Sequence, residues 1–404
     1  MKILHTSDWH IGKQLQKIDL TSEMELFFDW LVSVIQKEKI ELLLVSGDVF
    51  DQSNPSQNSL TQYYDFLKRM VPFKCKVVIT GGNHDSASML NAPKQILELV
   101  DVKVVGGAVE NIKDLFFSFP DGKNELVVAA VPYLRDRDIR KAAPGESYAD
   151  KIEQIREGLK AYFGEVNAYF QDNYTDAKFI LMGHLYVQGA KNSDSERQIQ
   201  IGNQAGVEQG IFGSVPNYVA LGHIHKPYAV SKSNNIYYSG SPIGLSFSEK
   251  EDVKQVNIVD TSVKNVAVSI LPVPKFRKVI CFQGTFNEVA NAVKAFKNDC
   301  PLDAIAELVI KEPKETVGII QNVEDLMLNH GIEGLVIAKR RTFFDEQLLG
   351  GSNVFSSNED VADFTPKQMF ERRLELESTF DDDKKEQLRN AFNEIMETIK
   401  GVEG

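Results

Sequence analysis

Five short blocks constrain this chain more than anything else in it. They are Asp8-Trp9-His10, Gly47-Asp48-Val49-Phe50-Asp51, Gly82-Asn83-His84-Asp85, Gly183-His184 and Gly222-His223-Ile224-His225, and each closes a short apolar run. Five of the seven histidines fall inside them, a concentration that scatter would not produce. In α/β sheets the loops past the carboxyl ends of the strands gather on one edge, where ligands bind. Asp8, His10, Asp48, Asn83, His184, His223 and His225 are therefore expected to converge, although they are spread over half the sequence. Asp8 and His10, like His223 and His225, stand two residues apart and can point the same way if the segment is extended.

The first half of the chain alternates strand-like and helical patterns. Strands are expected at Lys2–Thr6, Leu42–Ser46, Val77–Thr80, Val102–Val105, Val127–Val131, Phe179–Met182 and Tyr218–Leu221. Leu26, Phe27, Trp30, Leu31, Val34 and Ile35 recur at helical spacing within Leu20–Lys39, and Leu60, Tyr63, Tyr64, Phe66 and Leu67 mark a second helix over Ser59–Met70. Such alternation implies an α/β domain with a layered sheet. Ile236–Ser239, Val256–Val259 and Val266–Leu271 are expected to build a second, more antiparallel sheet on the first. Residues 1–272 thus read as a two-sheet α/β sandwich flanked by helices.

Pro272-Val273-Pro274 interrupts both helix and sheet and marks a boundary. Residues 273–349 read as a small α/β capping module, with strands at Lys278–Phe282, Ile305–Ile310 and Leu335–Ala338 and helices at Phe286–Phe296 and Val317–Asn329. Residues 350–364, opening on Gly350-Gly351-Ser352-Asn353, have linker composition. Thr365-Pro366-Lys367-Gln368 starts a helix containing Phe370 and Leu374. In a further helix Leu388, Phe392, Ile395, Met396 and Ile399 share one apolar stripe. On a tether, the helices of 365–404 read as a docking element for another protein; packing on the chain's own body is the alternative.

The net charge of −12 argues against a bulk electrostatic grip on nucleic acid. It leaves open an enzyme in which bound divalent cations become the largest local charges. No apolar run reaches the ~18 residues of a membrane span. The first block is reached by Asp8, which leaves no room for a signal peptide. Cys75, Cys281 and Cys300 lack metal-ligand spacing and read as free thiols, so a cytoplasmic location is expected.

Carboxylate, imidazole and one amide oxygen, with no thiolate, suit Mn²⁺, Fe²⁺ or Zn²⁺ in a mixed nitrogen and oxygen site. Seven ligands fit two cations if one carboxylate is shared, and Asp48, between the groups, is the best bridge. Two such cations clamp the attacking and leaving oxygens of an in-line phosphoryl displacement. His84 follows Asn83 directly and is expected to contact a phosphate oxygen and give a proton to the leaving alkoxide. Asp85 is expected to accept from the other ring nitrogen of His84 and fix its tautomer. Ser239-Gly240-Ser241-Pro242 reads as a turn, facing phosphate or not.

This ordered set of blocks resembles the calcineurin-like metallophosphoesterase superfamily. Thr6-Ser7-Asp8-Trp9-His10-Ile11-Gly12, Ser46-Gly47-Asp48-Val49-Phe50-Asp51, Ala220-Leu221-Gly222-His223-Ile224-His225 and Tyr238-Ser239-Gly240-Ser241-Pro242 are similar to its bacterial SbcD branch, across the whole length of the chain. The resemblance implies a DNA exonuclease and endonuclease using two Mn²⁺ ions, with other divalent cations as substitutes. It also implies a nucleoid-associated complex with an SbcC-type SMC-like ATPase, built as a homodimer within a heterotetramer. Asp8, His10, Asp48 and His225 would hold one metal, and Asp48, Asn83, His184 and His223 the other. His84 would be the phosphate-contacting catalytic residue. Helices around Ser59–Met70 and Ala87–Leu99 would make the homodimer, and the C-terminal helices would dock on the partner's coiled coil. Archaeal and eukaryotic relatives carry histidine where this chain has Asp51. The rival readings are a small-molecule or protein phosphoesterase of the same superfamily, and a scaffold without catalysis.

Overall fold

The computed structural model describes residues 1–122, 124–140, 148–188, 206–263, 265–314, 318–344, 366–376, 384–389 and 392. The chain forms two compact units: the first comprises Met1–Cys281, Lys297–Glu307 and Ile332–Lys339, the second Phe282–Phe296, Leu308–Gly331 and Arg340–Gly404.

Two six-stranded sheets make the first unit. One has the spatial order Ala267–Pro272, Gln255–Asp260, Lys2–Thr6, Leu42–Ser46, Lys76–Thr80, Val102–Val105. Its last four strands are parallel, with Ile3 opposite Leu42, Leu42 opposite Lys76 and Val77 opposite Val102. The other runs Tyr228–Ser231, Ile236–Tyr238, Tyr218–Gly222, Lys178–His184, Asn124–Ala130, Phe116–Asp121, parallel throughout except at its two edges.

Side chains of a strand alternate between faces, and here the two faces meet different partners. Ile3, Leu42, Leu44 and Val78 point into a core shared with Val127, Ala129, Ile180 and Met182 of the second sheet. Leu4, Leu43, Val45, Val77 and Ile79 point the other way, onto the helices Thr21–Glu38 and Gln57–Met70. Strands covered on both faces have no solvated side, which is why they read as unbroken apolar runs. Met24, Phe27, Phe28, Leu31, Val34 and Ile35 form the buried stripe of the first helix. Ser56 caps the second by accepting from Ser59 N at 3.2 Å. The outer side of the second sheet carries the 26-residue helix Tyr148–Asn173 through Ile155, Leu159, Phe163, Val166 and Phe170.

The sandwich is as expected, but the membership of its sheets is not. Gln255–Asp260 and Ala267–Pro272 do not join Ile236–Tyr238 in a separate antiparallel sheet. They extend the first sheet past Lys2–Thr6, with Leu4 opposite Ile258, while Ile236–Tyr238 lies parallel to Tyr218–Gly222 in the second. The edge strands Phe116–Asp121 and Tyr228–Ser231 and the long helix Tyr148–Asn173 add to the elements legible in the sequence. Around Ala87–Leu99 lie two short helices, Ala87–Asn91 and Lys94–Glu98, parted at Ala92-Pro93, where proline lacks the N–H that would continue the ladder.

Val279–Gly284, Ala304–Glu312 and Leu335–Phe344 form a three-stranded sheet in that order. In the second unit, Thr285 and Glu288 close a capping box at the start of the helix Phe286–Ala295, and a further helix spans Ile319–Asn329. The helix Pro366–Leu376 meets two described residues further on, through stacked rings of Phe370 and Phe392, 4.2 Å apart, and through Arg389 donating to Glu371 at 3.0 Å. The expected linker 350–364, the Thr365 cap and Ile395, Met396 and Ile399 lie outside the described residues. All three cysteines are free, and no helix among the described residues is long and apolar enough to cross a membrane.

Candidate metal centre

Each of the five blocks sits at the carboxyl end of a parallel strand. Lys2–Thr6, Leu42–Ser46 and Lys76–Thr80 deliver Asp8 and His10, Asp48, and Asn83 and His84; Lys178–His184 and Tyr218–Gly222 of the facing sheet deliver His184, and His223 and His225. The loops are stitched together by their backbones. Asp8 N donates to Gly47 O at 3.0 Å, His10 N to Asp48 O at 3.0 Å and Ile11 N to Val49 O at 2.9 Å.

Four of the seven expected ligands have left-handed backbones: Asp8 (φ 52°), His10 (φ 48°), Asp48 (φ 48°) and His223 (φ 99°). Such conformations are uncommon outside glycine, and they persist only where the surroundings over-determine them. Here the stitched loops and buried side chains do so.

Asp48 lies at the middle. Its Oδ2 is 3.3 Å from His184 Nε2 and 3.5 Å from His10 Nε2, while its Oδ1 accepts the backbone N–H of His84 at 2.9 Å. One carboxylate oxygen thus faces imidazoles of both expected metal sites. On one side, His10 Nε2 and His225 Nε2 approach to 3.1 Å, with Asp8 in the same cluster. On the other, Asn83 Oδ1 lies 3.1 Å from His184 Nε2 and 3.0 Å from His223 Nδ1. Asp8 itself accepts from Ser7 Oγ at 2.5 Å and from His223 N at 2.9 Å. His184 Nδ1 donates to the carbonyl of Ser46 at 2.9 Å, which leaves Nε2 as the nitrogen turned to the cluster.

The donors fit divalent cations. Ligand atoms of Asp8, His10 and His225, of Asp8, Asp48 and His184, and of His10, Asp48 and His84 lie within 4.8 Å of one another in each group, and all are buried. Their proton affinities record the crowding. Burial raises the Asp8 carboxyl to about 6. Burial lowers His223 to about 3 and His225 to about 4. Burial works against protonation of His184 too, but the Asp48 carboxylate outweighs it and lifts the imidazole to about 9. Burial opposes ionisation of Asp48 as well; His184 and His10 outweigh it and hold the acid well below the ordinary carboxylate range. Strongly shifted proton affinities gathered in one buried pocket mark it as a candidate functional site.

His84 keeps its place at this cluster, with its ring centroid 4.6 Å from that of His10. Its orienting partner differs from the expectation. His84 Nδ1 donates to the backbone carbonyl of Asp51 at 2.8 Å. The Asp85 carboxylate instead accepts three backbone N–H groups, from Gly82 at 2.8 Å, Phe50 at 2.9 Å and Val49 at 3.0 Å. Asp85 is a staple between the loops that carry Asp48 and His84. Ser239–Pro242 backs the first and last blocks: Ser239 Oγ meets Ser7 Oγ at 2.8 Å, and Ser241 N donates to His225 O at 3.1 Å. Glu249 and Lys254, buried behind His225, carry no motif in the sequence and were not among the expected site residues.

Residues 1–227 match the model of the calcineurin-like phosphoesterase family. The chain belongs to that family. It is a phosphoester hydrolase with a site built for divalent cations. The chain is also similar to a protein of Escherichia coli strain K12 named as the SbcD component of the nuclease SbcCD, at 28% identity over 99% of both chains. A protein of Bacillus subtilis strain 168 with the same name is 30% identical over 64% of this chain and 66% of the relative. The resemblance to the SbcD branch seen in the motifs therefore extends over nearly the full length.

Proposed function

We propose that this phosphoesterase is a two-metal DNA nuclease. It hydrolyses phosphodiester bonds at double-strand ends and hairpins, as the nuclease component of an SbcCD-type complex gated by an SbcC-like ATPase. The observation that carries the reading is the Asp48 carboxylate oxygen set between His10 and His184, 3.5 Å and 3.3 Å away, because a shared acid is what a pair of cations needs. The two bacterial relatives named for the nuclease SbcCD support DNA as substrate and an SbcC-like partner.

Asp8, His10, Asp48 and His225 would hold one ion, and Asp48, Asn83, His184 and His223 the other, with Mn²⁺ among the ions that suit these donors. When bound, such a pair activates water and neutralises charge on the phosphoryl oxygens. The chain's own contribution is position and proton transfer. The Asp51 carbonyl only accepts, so His84 Nδ1 carries hydrogen and Nε2 is the nitrogen that exchanges a proton with the departing oxygen. Asp85 keeps the loops of Asp48 and His84 in register.

Exposed apolar side chains at Tyr64, Ile96 and Leu99 support a homodimer face along Gln57–Met70 and at the end of Lys94–Glu98. Residues 273–349 would cap the DNA, and 365–404 would dock on the ATPase. The test is digestion of a linear duplex beside a chromogenic phosphomonoester, with Mn²⁺, with Mg²⁺ and with chelator, on the chain alone and with its ATPase partner. Duplex cleavage that needs metal and is lost in His84→Ser, with metal and DNA binding retained, supports the reading. Hydrolysis of the monoester alone would point to a small-molecule phosphoesterase, and cleavage surviving in His84→Ser would remove His84 from its role.

A further inference from the structure

Two histidines of one expected metal site are each backed by a carboxylate, and each carboxylate is in turn held by a lysine. His10 Nδ1 lies 3.3 Å from Asp51 Oδ1, which accepts from Lys13 Nζ at 3.0 Å. His225 Nδ1 lies 3.6 Å from Glu249 Oε1, and the other oxygen of Glu249 accepts from Lys254 Nζ at 2.6 Å. The two carboxylates stand 38 and 5 residues from their lysines, on unrelated loops, yet the arms end with the two histidine Nε2 atoms 3.1 Å apart.

We propose that Glu249 and Asp51 are positioning residues that hold His225 and His10 with hydrogen on Nδ1 and both Nε2 lone pairs turned to one cation. The inference rests on the reading that these histidines bind metal. A carboxylate behind a metal-binding imidazole fixes its tautomer and ring orientation and raises its basicity. The lysines complete the device. A bare buried carboxylate so near the cation would compete as a ligand, whereas one bound to an ammonium is neutralised and kept behind the ring. Lys254 also grips the unit it serves, donating to His225 O at 3.1 Å and to Ser241 Oγ at 2.8 Å. Glu249 is further fixed by Leu245 N at 3.2 Å and Ser246 Oγ at 3.1 Å. With Glu249 2% and Lys254 8% exposed, this arm has no solvent-facing role to explain it.

Calorimetric titration of the full chain with Mn²⁺ tests the proposal, with the melting temperature of each metal-free protein recorded. Glu249→Leu combined with Lys254→Met removes both charges at similar volume. It should weaken one of two Mn²⁺ sites by about 10–100-fold and leave the other unchanged. Glu249→Gln, which keeps an acceptor oxygen, should fall between this variant and the wild type, and Asp51→Asn should weaken the same site. His225→Ala is the reference for the underlying reading. If it leaves both ions bound as in the wild type, the assignment of the metal ligands fails. If it loses one ion while a folded Glu249→Leu/Lys254→Met protein binds both at wild-type affinity, the positioning role fails. Should that double variant not fold, wild-type Mn²⁺ affinities in both Glu249→Gln and Asp51→Asn overturn the proposal. A lowered melting temperature with unchanged affinities does so too.

Discussion

Gly47 lies directly beneath the imidazole of His184: a Cβ at this position would stand 2.1 Å from His184 Nδ1. Its φ of +83° adds a second demand that only glycine meets cheaply. Gly47→Ala is therefore expected to do two things. It should cost about 1–2 kcal/mol of stability from the left-handed backbone alone. It should also push His184 off the Ser46 carbonyl and away from Asp48, lowering both metal affinity and phosphoesterase activity. Chemical denaturation and Mn²⁺ titration of the same preparation measure the two effects. An alanine variant with wild-type metal affinity would mean that the ring has room to yield.

Metal uptake should expel a proton from His184. Without metal its imidazole titrates at about 9, because the Asp48 carboxylate outweighs the effect of burial, so at pH 7 it is protonated and Nε2–H points at Asp48. A cation takes the same nitrogen and must displace that proton. Through His184 alone, apparent Mn²⁺ affinity should then rise about tenfold per pH unit between pH 6 and 9. It should steepen below about 6, where the buried Asp8 carboxyl is also protonated. Calorimetry in two buffers of different ionisation heat counts the protons; a count near zero at pH 7 would contradict the charge state given to His184.

The site was more legible in the sequence than the sheets around it, for a physical reason. Asp8, Asp48 and Asn83 each follow a short parallel strand, so local pattern and final position coincide. The place of Gln255–Asp260 depends on pairing with Lys2–Thr6, roughly 250 residues away in the chain, and an alternating strand does not reveal which sheet edge will take it. Asp85 misled through adjacency: it neighbours His84 in sequence, but its carboxylate turns to the Val49 and Phe50 backbone. Glu249 left no trace at all. It is one acid among many in the chain, and only the tertiary fold, in which Leu245 N and Ser246 Oγ fix its carboxylate, brings it to the His225 ring.

His5, the histidine outside the five blocks that is buried in a strand, should make stability sensitive to acid. It is fully buried, with Nδ1 2.9 Å from the Tyr218 hydroxyl, and burial lowers its titration to about 3. Between pH 6.5 and 3 the unfolded chain binds a proton there that the folded chain refuses. The stability is thus fully present above 6.5 and is lost as pH falls, by at most about 1.4 kcal/mol per unit. His5→Leu removes this dependence. The difference in unfolding free energy between wild type and variant should therefore shift against the wild type on acidification from pH 6.5 to 4. A difference that stays constant over that range would show that His5 charges within the fold.

Asp85 offers the sharpest separation of structure from chemistry at the site. Its carboxylate is 3% exposed and ties Gly82 on one loop to Val49 and Phe50 on another. Asp85→Ala leaves three buried N–H groups without an acceptor, which should cost about 3 kcal/mol or more. Asp85→Asn keeps one acceptor oxygen but turns an NH₂ group against backbone donors, and should cost less. If Asp85 served mainly to orient the His84 ring, Asn and Ala would impair catalysis while melting near the wild type. The staple geometry predicts the reverse order of events: both variants lose melting temperature, Ala more than Asn, and activity falls in step as Asp48 and His84 lose their common frame. The pH dependence carries its own sign. Burial outweighs the three backbone donors and raises Asp85 to about 6, so between pH 6 and 3.8 the folded chain holds a proton here that the unfolded chain has given up. Through this group alone, acidification over that interval therefore favours the folded state. Asp85→Asn has nothing to titrate, so the stability gap between wild type and Asn should widen in favour of the wild type from pH 6.5 to 4. Denaturant titrations at the two pH values measure it, and a gap that narrows would show that the three N–H bonds, not burial, set the proton affinity of this acid.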